Sequence, residues 1–135
     1  PLLGFPGHWA PNDLVLLGED SPLGRGALIA FHGSWNRAGV QQGYRVVFVP
    51  LTETGEVAGE WSTFADGFAG PGPIRSSGDA EHRPTGLALG PDGAVYVSSA
   101  VHGGRIWRIR RSSGAASTAS AGPRPGAPSG EPSGA

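Results

Sequence analysis

Between two apolar runs of the sequence, 27–31 and 44–51, lies a segment that carries an aromatic, an amide and a guanidinium group. A minimal β-hairpin would need only about two to five linking residues there, and this linker is longer. Trp35 offers a flat face for stacking, Asn36 both donates and accepts hydrogen bonds, and Arg37 can hold a carboxylate or phosphate. Such a loop on short strands is typical of a binding site. The alternative is an ordinary surface loop with Trp35 folded back onto the core.

Arg83 is a second guanidinium that could bind an anion. Together with the groups of the long loop it would suit a planar, anionic cofactor. The alternative for each arginine is a solvated surface charge or a salt bridge to Asp79 or Glu81. The four histidines are widely spaced along the chain, which argues against a metal site and favours a general base for one of them. The sequence does not choose which.

Short apolar runs separated by turns, with no 3.6-residue periodicity, predict an all-β fold over residues 1–111. The third run, 44–51, is apolar on both faces, which predicts a sheet that is covered on both sides. The fourth is more polar and is predicted to lie at an edge. Trp9, Trp61 and Trp107 are predicted to pack in the core. The predicted strands are 14–17, 27–31, 44–51, 60–64, 86–89, 94–98 and 105–110.

The runs repeat along the chain. Residues 26–30 resemble 93–97, and residues 45–49 resemble 105–109. Four short antiparallel strands in each repeat predict blades of a β-propeller, about two of them. Because two blades cannot close a ring, we expect the chain to be a fragment of a longer protein.

An up-and-down blade brings alternate loops to the same end of its sheet. We call this end the rim. It collects the loops 7–13 and 32–43, the segment that ends at 84, and the loop 99–104. Every histidine of the chain is therefore predicted to lie at the rim, together with Trp35, Asn36, Arg37 and Arg83.

Composition excludes several classes of function. The net charge of −1 gives no field that favours nucleic acid, and the absence of cysteine excludes disulfides and thiolate metal sites. No apolar run is long enough to span a bilayer. From 112 to 135 nearly every residue is Ala, Ser, Gly or Pro, which predicts a disordered tail or linker.

Several segments resemble the glucose/sorbosone dehydrogenase family, and the most specific of the shared motifs is His32-Gly33-Ser34-Trp35-Asn36-Arg37. The resemblance implies the C-terminal part of a six-bladed β-propeller that oxidises a sugar with pyrroloquinoline quinone (PQQ), in the periplasm or outside the cell. Hydride would pass from a sugar carbon to the quinone. The matching segments are 7–14, 24–37, 43–50, 83–88, 91–98 and 104–109.

The same resemblance implies roles for individual residues. Arg83 matches an arginine that contacts the cofactor, and the loop supplies a further contact for which Arg37 is the first candidate, before Asn36 and His32. A Ca²⁺ ion would hold and polarise the cofactor. Its ligands and the catalytic histidine are expected upstream, so no catalytic or metal-binding residue is assigned here and the chain alone is expected to be inactive.

A non-catalytic propeller that binds carbohydrate or protein at the rim is the second hypothesis. Thr85 stands where some members of the family carry a second arginine, and Ser98-Ser99 replaces an expected acidic pair. Both departures favour the second hypothesis slightly. A base histidine in the upstream sequence would favour the enzyme.

Overall fold

The computed structural model describes residues 1–112, which form two antiparallel β-sheets. The first sheet contains β1 (Pro11–Leu17), β2 (Gly26–Phe31), β3 (Arg45–Pro50) and β4 (Ser62–Ala65), in that order. The second contains β5 (Pro84–Leu89), β6 (Val95–Ser99) and β7 (Arg105–Ile109). A single 3-10 turn, Ser77–Asp79, is the helical content of the described residues.

The all-β prediction is confirmed, with one difference. Among residues 1–112 the second sheet has three strands, where four were predicted. The predicted tail, 112–135, lies outside the described residues except for Ser112. The described part of the chain contains no helix of the length and apolarity that crossing a membrane requires.

Sequential strands pair throughout, as they do in a propeller blade. β4 lies at the edge of the first sheet as predicted, although it begins two residues later. β1 begins at Pro11, three residues earlier than predicted, because Pro11 and Asp13 pair with the end of β2 across a bulge. The apolar pattern of Leu14–Leu17 gave no sign of this polar extension.

The first sheet is covered on both faces, which confirms the prediction from its third run. Val46 of β3 faces a cluster between the two sheets, and Val47 and Val49 face a second cluster on the opposite side. The N-terminal segment covers that side with Leu3, Phe5 and Trp9. The three tryptophans predicted to be in the core all pack against these clusters: Trp9 and Trp61 against the second, Trp107 against the first.

The strand pairing tests the two repeat alignments. Phe31 pairs with Arg45 in the first sheet, and Ser99 pairs with Arg105 in the second. This register matches Arg45 with Arg105, so the alignment of 45–49 with 105–109 is confirmed. Ala27 pairs with Val49 and Val95 with Ile109, so residue 26 matches 94 and the alignment of 26–30 with 93–97 is wrong by one residue. A shift of one residue moves every side chain of a strand to the other face.

The sheets are joined where β1 meets β5. The Asp13 carboxylate accepts a hydrogen bond from the Leu87 amide at 2.7 Å. The Asn12 amide donates to the Thr85 carbonyl at 3.1 Å. These bonds place the start of β5 beside the end of β2, so the loops of both sheets meet at the rim as predicted.

Candidate functional site

Arg83 immediately precedes β5 and is 2% exposed. Its Nη1 donates to the carbonyl oxygens of His32, Gly33 and Ser34 at 3.3–3.4 Å. Its Nη2 donates to the Ser77 carbonyl at 2.6 Å. The guanidinium therefore ties three segments of the rim together.

Two aromatic rings complete the surroundings of this guanidinium. Its central carbon lies 4.6 Å from the centre of the Trp35 ring and 5.0 Å from that of Tyr44. Both distances are typical of cation–π contact. Arg83 is neither a solvated charge nor the partner of Asp79 or Glu81, because it is buried and no carboxylate of residues 1–112 forms a salt bridge with it.

A buried cation without a carboxylate is costly, and carbonyl dipoles and ring faces compensate its charge only in part. The arrangement therefore favours an anionic ligand nearby. The effect of the charge is visible at His32, which is half-buried. Burial, and then the positive charge of Arg83, lower the pKa of His32 from its ordinary value of 6.5, while a hydrogen bond with the Gly33 backbone opposes them. The imidazole is accordingly neutral at neutral pH.

The long loop is ordered by its own polar groups. The buried Ser34 hydroxyl donates to the Gln41 side-chain oxygen at 2.8 Å and accepts from the Gln42 backbone N–H at 2.9 Å. The Tyr44 hydroxyl donates to the Ser34 carbonyl at 3.0 Å. The Gln41 side-chain nitrogen donates to the Arg37 backbone carbonyl at 2.7 Å. These bonds fix the backbone from which Trp35, Asn36 and Arg37 project.

The predicted loop residues have different surroundings. Trp35 is 61% exposed and stacks on His32 with ring centres 5.8 Å apart, so the alternative in which it folds back onto the core is wrong. The Asn36 side chain is exposed and bonds to the His8 ring at 3.1 Å. Arg37 uses its Nη1 on the Val40 carbonyl at 2.6 Å. The structure thus groups Arg83, His32 and Trp35, and gives Arg37 a partner within its own loop.

Backbone strain is concentrated at the rim. Among the described residues, the non-glycine residues with positive φ are His8, Ala10, Tyr44 and His102, at 68°, 55°, 43° and 51°. All four lie beside the rim ends of strands. Such conformations cluster at functional sites, where the surrounding structure holds them in place.

Sequence reasoning missed two parts of the Arg83 environment. Tyr44 was taken as the first residue of a strand, whereas it is buried before β3 with its ring against Arg83. Ser77 contributes only its carbonyl oxygen. A main-chain acceptor leaves no signal in the sequence, because every residue has one.

The remaining histidines also lie at the rim. His82 is buried and lies 3.4 Å from the Ser99 hydroxyl through its Nδ1, and His102 is exposed. In residues 1–112 no three His, Asp or Glu side chains are close enough to hold a metal ion together. A cavity of about 760 Å³ lies at the opposite end of the sheets, but none of the predicted site residues lines it. The predicted site residues lie at the rim and not beside this cavity.

Comparison with known proteins identifies the family of the chain. A family model described as TrAA12-like matches residues 1–112, which is most of the chain. The chain belongs to the TrAA12-like family. Two curated proteins of Coprinopsis cinerea, one from the strain Okayama-7, are both named pyrroloquinoline quinone-dependent pyranose dehydrogenase, and each is 36% identical to this chain over 129 residues.

The match covers 84% of this TrAA12-like chain and 17% of each Coprinopsis protein. The chain therefore spans about a sixth of the length of the curated relatives it matches. No solved structure gives a significant match. The relation to PQQ-dependent sugar dehydrogenases that the sequence suggested is supported at this level, and the narrower glucose/sorbosone type stays a prediction.

Proposed function

We propose that the protein to which this chain belongs is a PQQ-dependent sugar dehydrogenase, and that the chain supplies part of its cofactor site. The observation that carries the proposal is the buried Arg83 guanidinium, which has no carboxylate partner among residues 1–112. The relation to the pyranose dehydrogenase of Coprinopsis cinerea supports the reaction type. The periplasmic or extracellular location implied by the resemblance stays a prediction.

The rim residues fit PQQ in charge. PQQ is a planar quinone that carries carboxylates, and Arg83 offers the positive charge that such a group requires. The guanidinium is held by four carbonyl oxygens and two rings, so little side-chain freedom remains to be lost when an anion binds. When bound, the quinone accepts the hydride from the sugar carbon.

The chain's own residues would bind and orient the cofactor. Arg83 would attract a carboxylate to the inner side of the loop 32–37. His32, neutral because of burial and Arg83, can accept or donate a hydrogen bond there without adding charge. Arg37 and Asn36 stay predicted contacts, since the first is engaged with Val40 and the second with His8.

The described residues offer no side-chain cluster that would hold Ca²⁺. They contain no cluster of three His, Asp or Glu side chains. The Ca²⁺ and the catalytic histidine implied by the resemblance stay predictions for sequence outside this chain.

The test is a titration of the full-length protein with PQQ, in parallel for Arg83→Ala, Arg83→Lys and Arg110→Ala. Loss of a charge-assisted contact of about 1.5–3 kcal/mol should weaken PQQ affinity about ten- to hundredfold in Arg83→Ala. Arg83→Lys should recover only part of this, because an ammonium cannot make paired contacts. Arg110 is exposed just beyond β7, so Arg110→Ala should bind PQQ like the parent.

Because Arg83 also holds the loop 32–34, the unfolding midpoint of each variant is measured without PQQ. If Arg83→Ala binds PQQ like the parent, the assignment of Arg83 to the cofactor is wrong. The non-catalytic rim that binds carbohydrate or protein would then be the better hypothesis, since the exposed Trp35 ring suits it.

A further inference from the structure

A second surface includes exposed side chains of the same loop. It consists of the Trp35 ring with the side chains of Asn36 and His8, and we call it the rim platform. Trp35 is 61% exposed, and Asn36 and His8 are exposed as well. The other tryptophans, Trp9, Trp61 and Trp107, are buried or half-buried in the apolar clusters. The rim platform is thus the place where the fold leaves a large aromatic ring in solvent.

Two contacts hold the exposed ring in position. The Arg83 guanidinium lies 4.6 Å from its centre, and the His32 ring stacks on it at an angle of 18°. The backbone beneath it is fixed by the bonds of the buried Ser34. A rigid aromatic surface loses little conformational entropy when a ligand covers it.

The polar groups beside the ring have unused hydrogen-bonding capacity. Because the Asn36 side-chain oxygen can only accept, the bond at 3.1 Å requires the proton on His8 Nδ1. Among the described residues no hydrogen bond uses His8 Nε2 or Asn36 Nδ2. The rim platform therefore offers polar groups of His8 and Asn36 in addition to the exposed Trp35 ring.

This combination matches a pyranose ring. A pyranose has an apolar face of C–H groups that can lie on an indole, and neighbouring hydroxyls that each donate and accept. We propose that the rim platform binds a pyranose ring of the sugar substrate, with Trp35 as the stacking residue. That the sugar is a substrate rests on the proposed function, but the binding itself requires no cofactor.

The test uses the full-length protein without PQQ and a set of six common hexopyranoses, each titrated to 100 mM and followed by NMR at the tryptophan indole N–H signals. The signal of Trp35 is identified by its loss in Trp35→Phe. We expect at least one sugar to shift this signal more than those of Trp9, Trp61 and Trp107. Affinity for that sugar should fall about tenfold in Trp35→Ala and about two- to tenfold in Asn36→Ala.

Val40→Ala is the matched control, since Val40 is 42% exposed in the same loop. It should change sugar affinity by less than twofold. Because the Trp35 ring also contacts the Arg83 guanidinium, PQQ affinity is measured separately and is not used as a test of the rim platform. The proposal is wrong if no sugar shifts the Trp35 signal, or if Trp35→Ala binds sugar like the parent. Failure of the parent to bind PQQ would contradict the proposed function and leave the sugar titration a valid test of the rim platform.

Discussion

Arg83 is a cation that the fold buries and surrounds with dipoles. Its guanidinium meets carbonyl oxygens from two different loops and the faces of Trp35 and Tyr44. A lysine could supply the charge but not the planar fork that reaches both loops at once. The residue is therefore part of the loop architecture as well as a candidate ligand group, and any variant at 83 must be read with both roles in mind.

His32 links that charge to the pH dependence of folding. Its pKa in the folded protein lies below 6.5, whereas the unfolded chain takes up a proton near 6.5. Between those two pKa values the unfolded state binds more protons, so the free energy of unfolding decreases as the pH falls. Urea unfolding at pH 7.5 and 5.5 should show a larger loss of stability in the parent than in His32→Asn.

His102→Asn is the control for this comparison. His102 is exposed at the same rim and also has positive φ, at 51°. Its variant should keep the loss of stability that the parent shows between the two pH values. Equal losses of stability in the parent and in His32→Asn would mean that burial and Arg83 do not lower the pKa of His32 in the folded protein.

At the scale of single residues, the sequence predicted where a side chain lies better than which groups it contacts. Strand alternation was sufficient to bring Arg83, Trp35 and the histidines to one end. It could not predict that Arg83 is buried, because the acceptors are main-chain carbonyls, which carry no residue-specific signal. It also could not tell an exposed Trp35 from a packed one, since both fit the same apolar–polar pattern.

At the scale of elements, the loop 33–43 depends on close packing as well as on hydrogen bonds. Gly33 has φ of +91°, and a Cβ added there would lie 2.2 Å from the Tyr44 ring. That ring cannot easily move, because its hydroxyl bonds to Ser34 and its face contacts Arg83. We expect Gly33→Ala to lower the free energy of unfolding by about 3 kcal/mol or more.

Gly39→Ala separates this crowding from backbone strain alone. Gly39 has a similar φ of +80° but nothing within 4 Å of the added Cβ. Its variant should lose about 1–2 kcal/mol, the cost of a left-handed conformation. Urea unfolding of the two variants measures the difference. Equal losses would mean that the approach of Gly33 to Tyr44 contributes nothing.

The strands themselves were largely predictable, because apolar runs between glycine and proline turns mark them directly. The exact bounds of the strands and the register of their pairing were less predictable. The polar start of β1 at Pro11 depends on pairing with the end of β2, and the register of β6 depends on its pairing with β7. Both are set by contacts between strands, which a local pattern does not contain.

At the scale of the whole molecule, the two sheets form one unit through an apolar cluster and a few polar bonds. The cluster includes Leu28 and Val46 from the first sheet and Val97 from the second, all fully buried. The edge contact of Phe68 with Trp107, at 5.2 Å, adds to it. The rim site depends on this union, since Arg83 belongs to the second sheet and the loop 32–37 to the first.

The polar bond between the sheets gives the last prediction. The Asp13 carboxylate, half-buried at the bulge of β1, accepts the Leu87 amide of β5 at 2.7 Å and the Leu14 amide at 2.8 Å. Asp13→Ala would leave the Leu87 N–H without its acceptor, which should lower the free energy of unfolding by about 1.5–3 kcal/mol. Asp13→Asn keeps an acceptor oxygen and should recover part of the loss.

The effect should also be localised, because the bond holds one sheet against the other. In hydrogen exchange, the Leu87 amide and its neighbours in β5 should lose more protection in Asp13→Ala than the centre of β2 does. Asn12→Ala is the control: its exposed bond to the Thr85 carbonyl should contribute less than about 1 kcal/mol and leave the protection of β5 nearly unchanged. If protection falls equally in β2 and β5 of Asp13→Ala, the carboxylate stabilises the fold as a whole. The junction through which the second sheet brings Arg83 to the loop 32–37 would then be held by the apolar cluster alone.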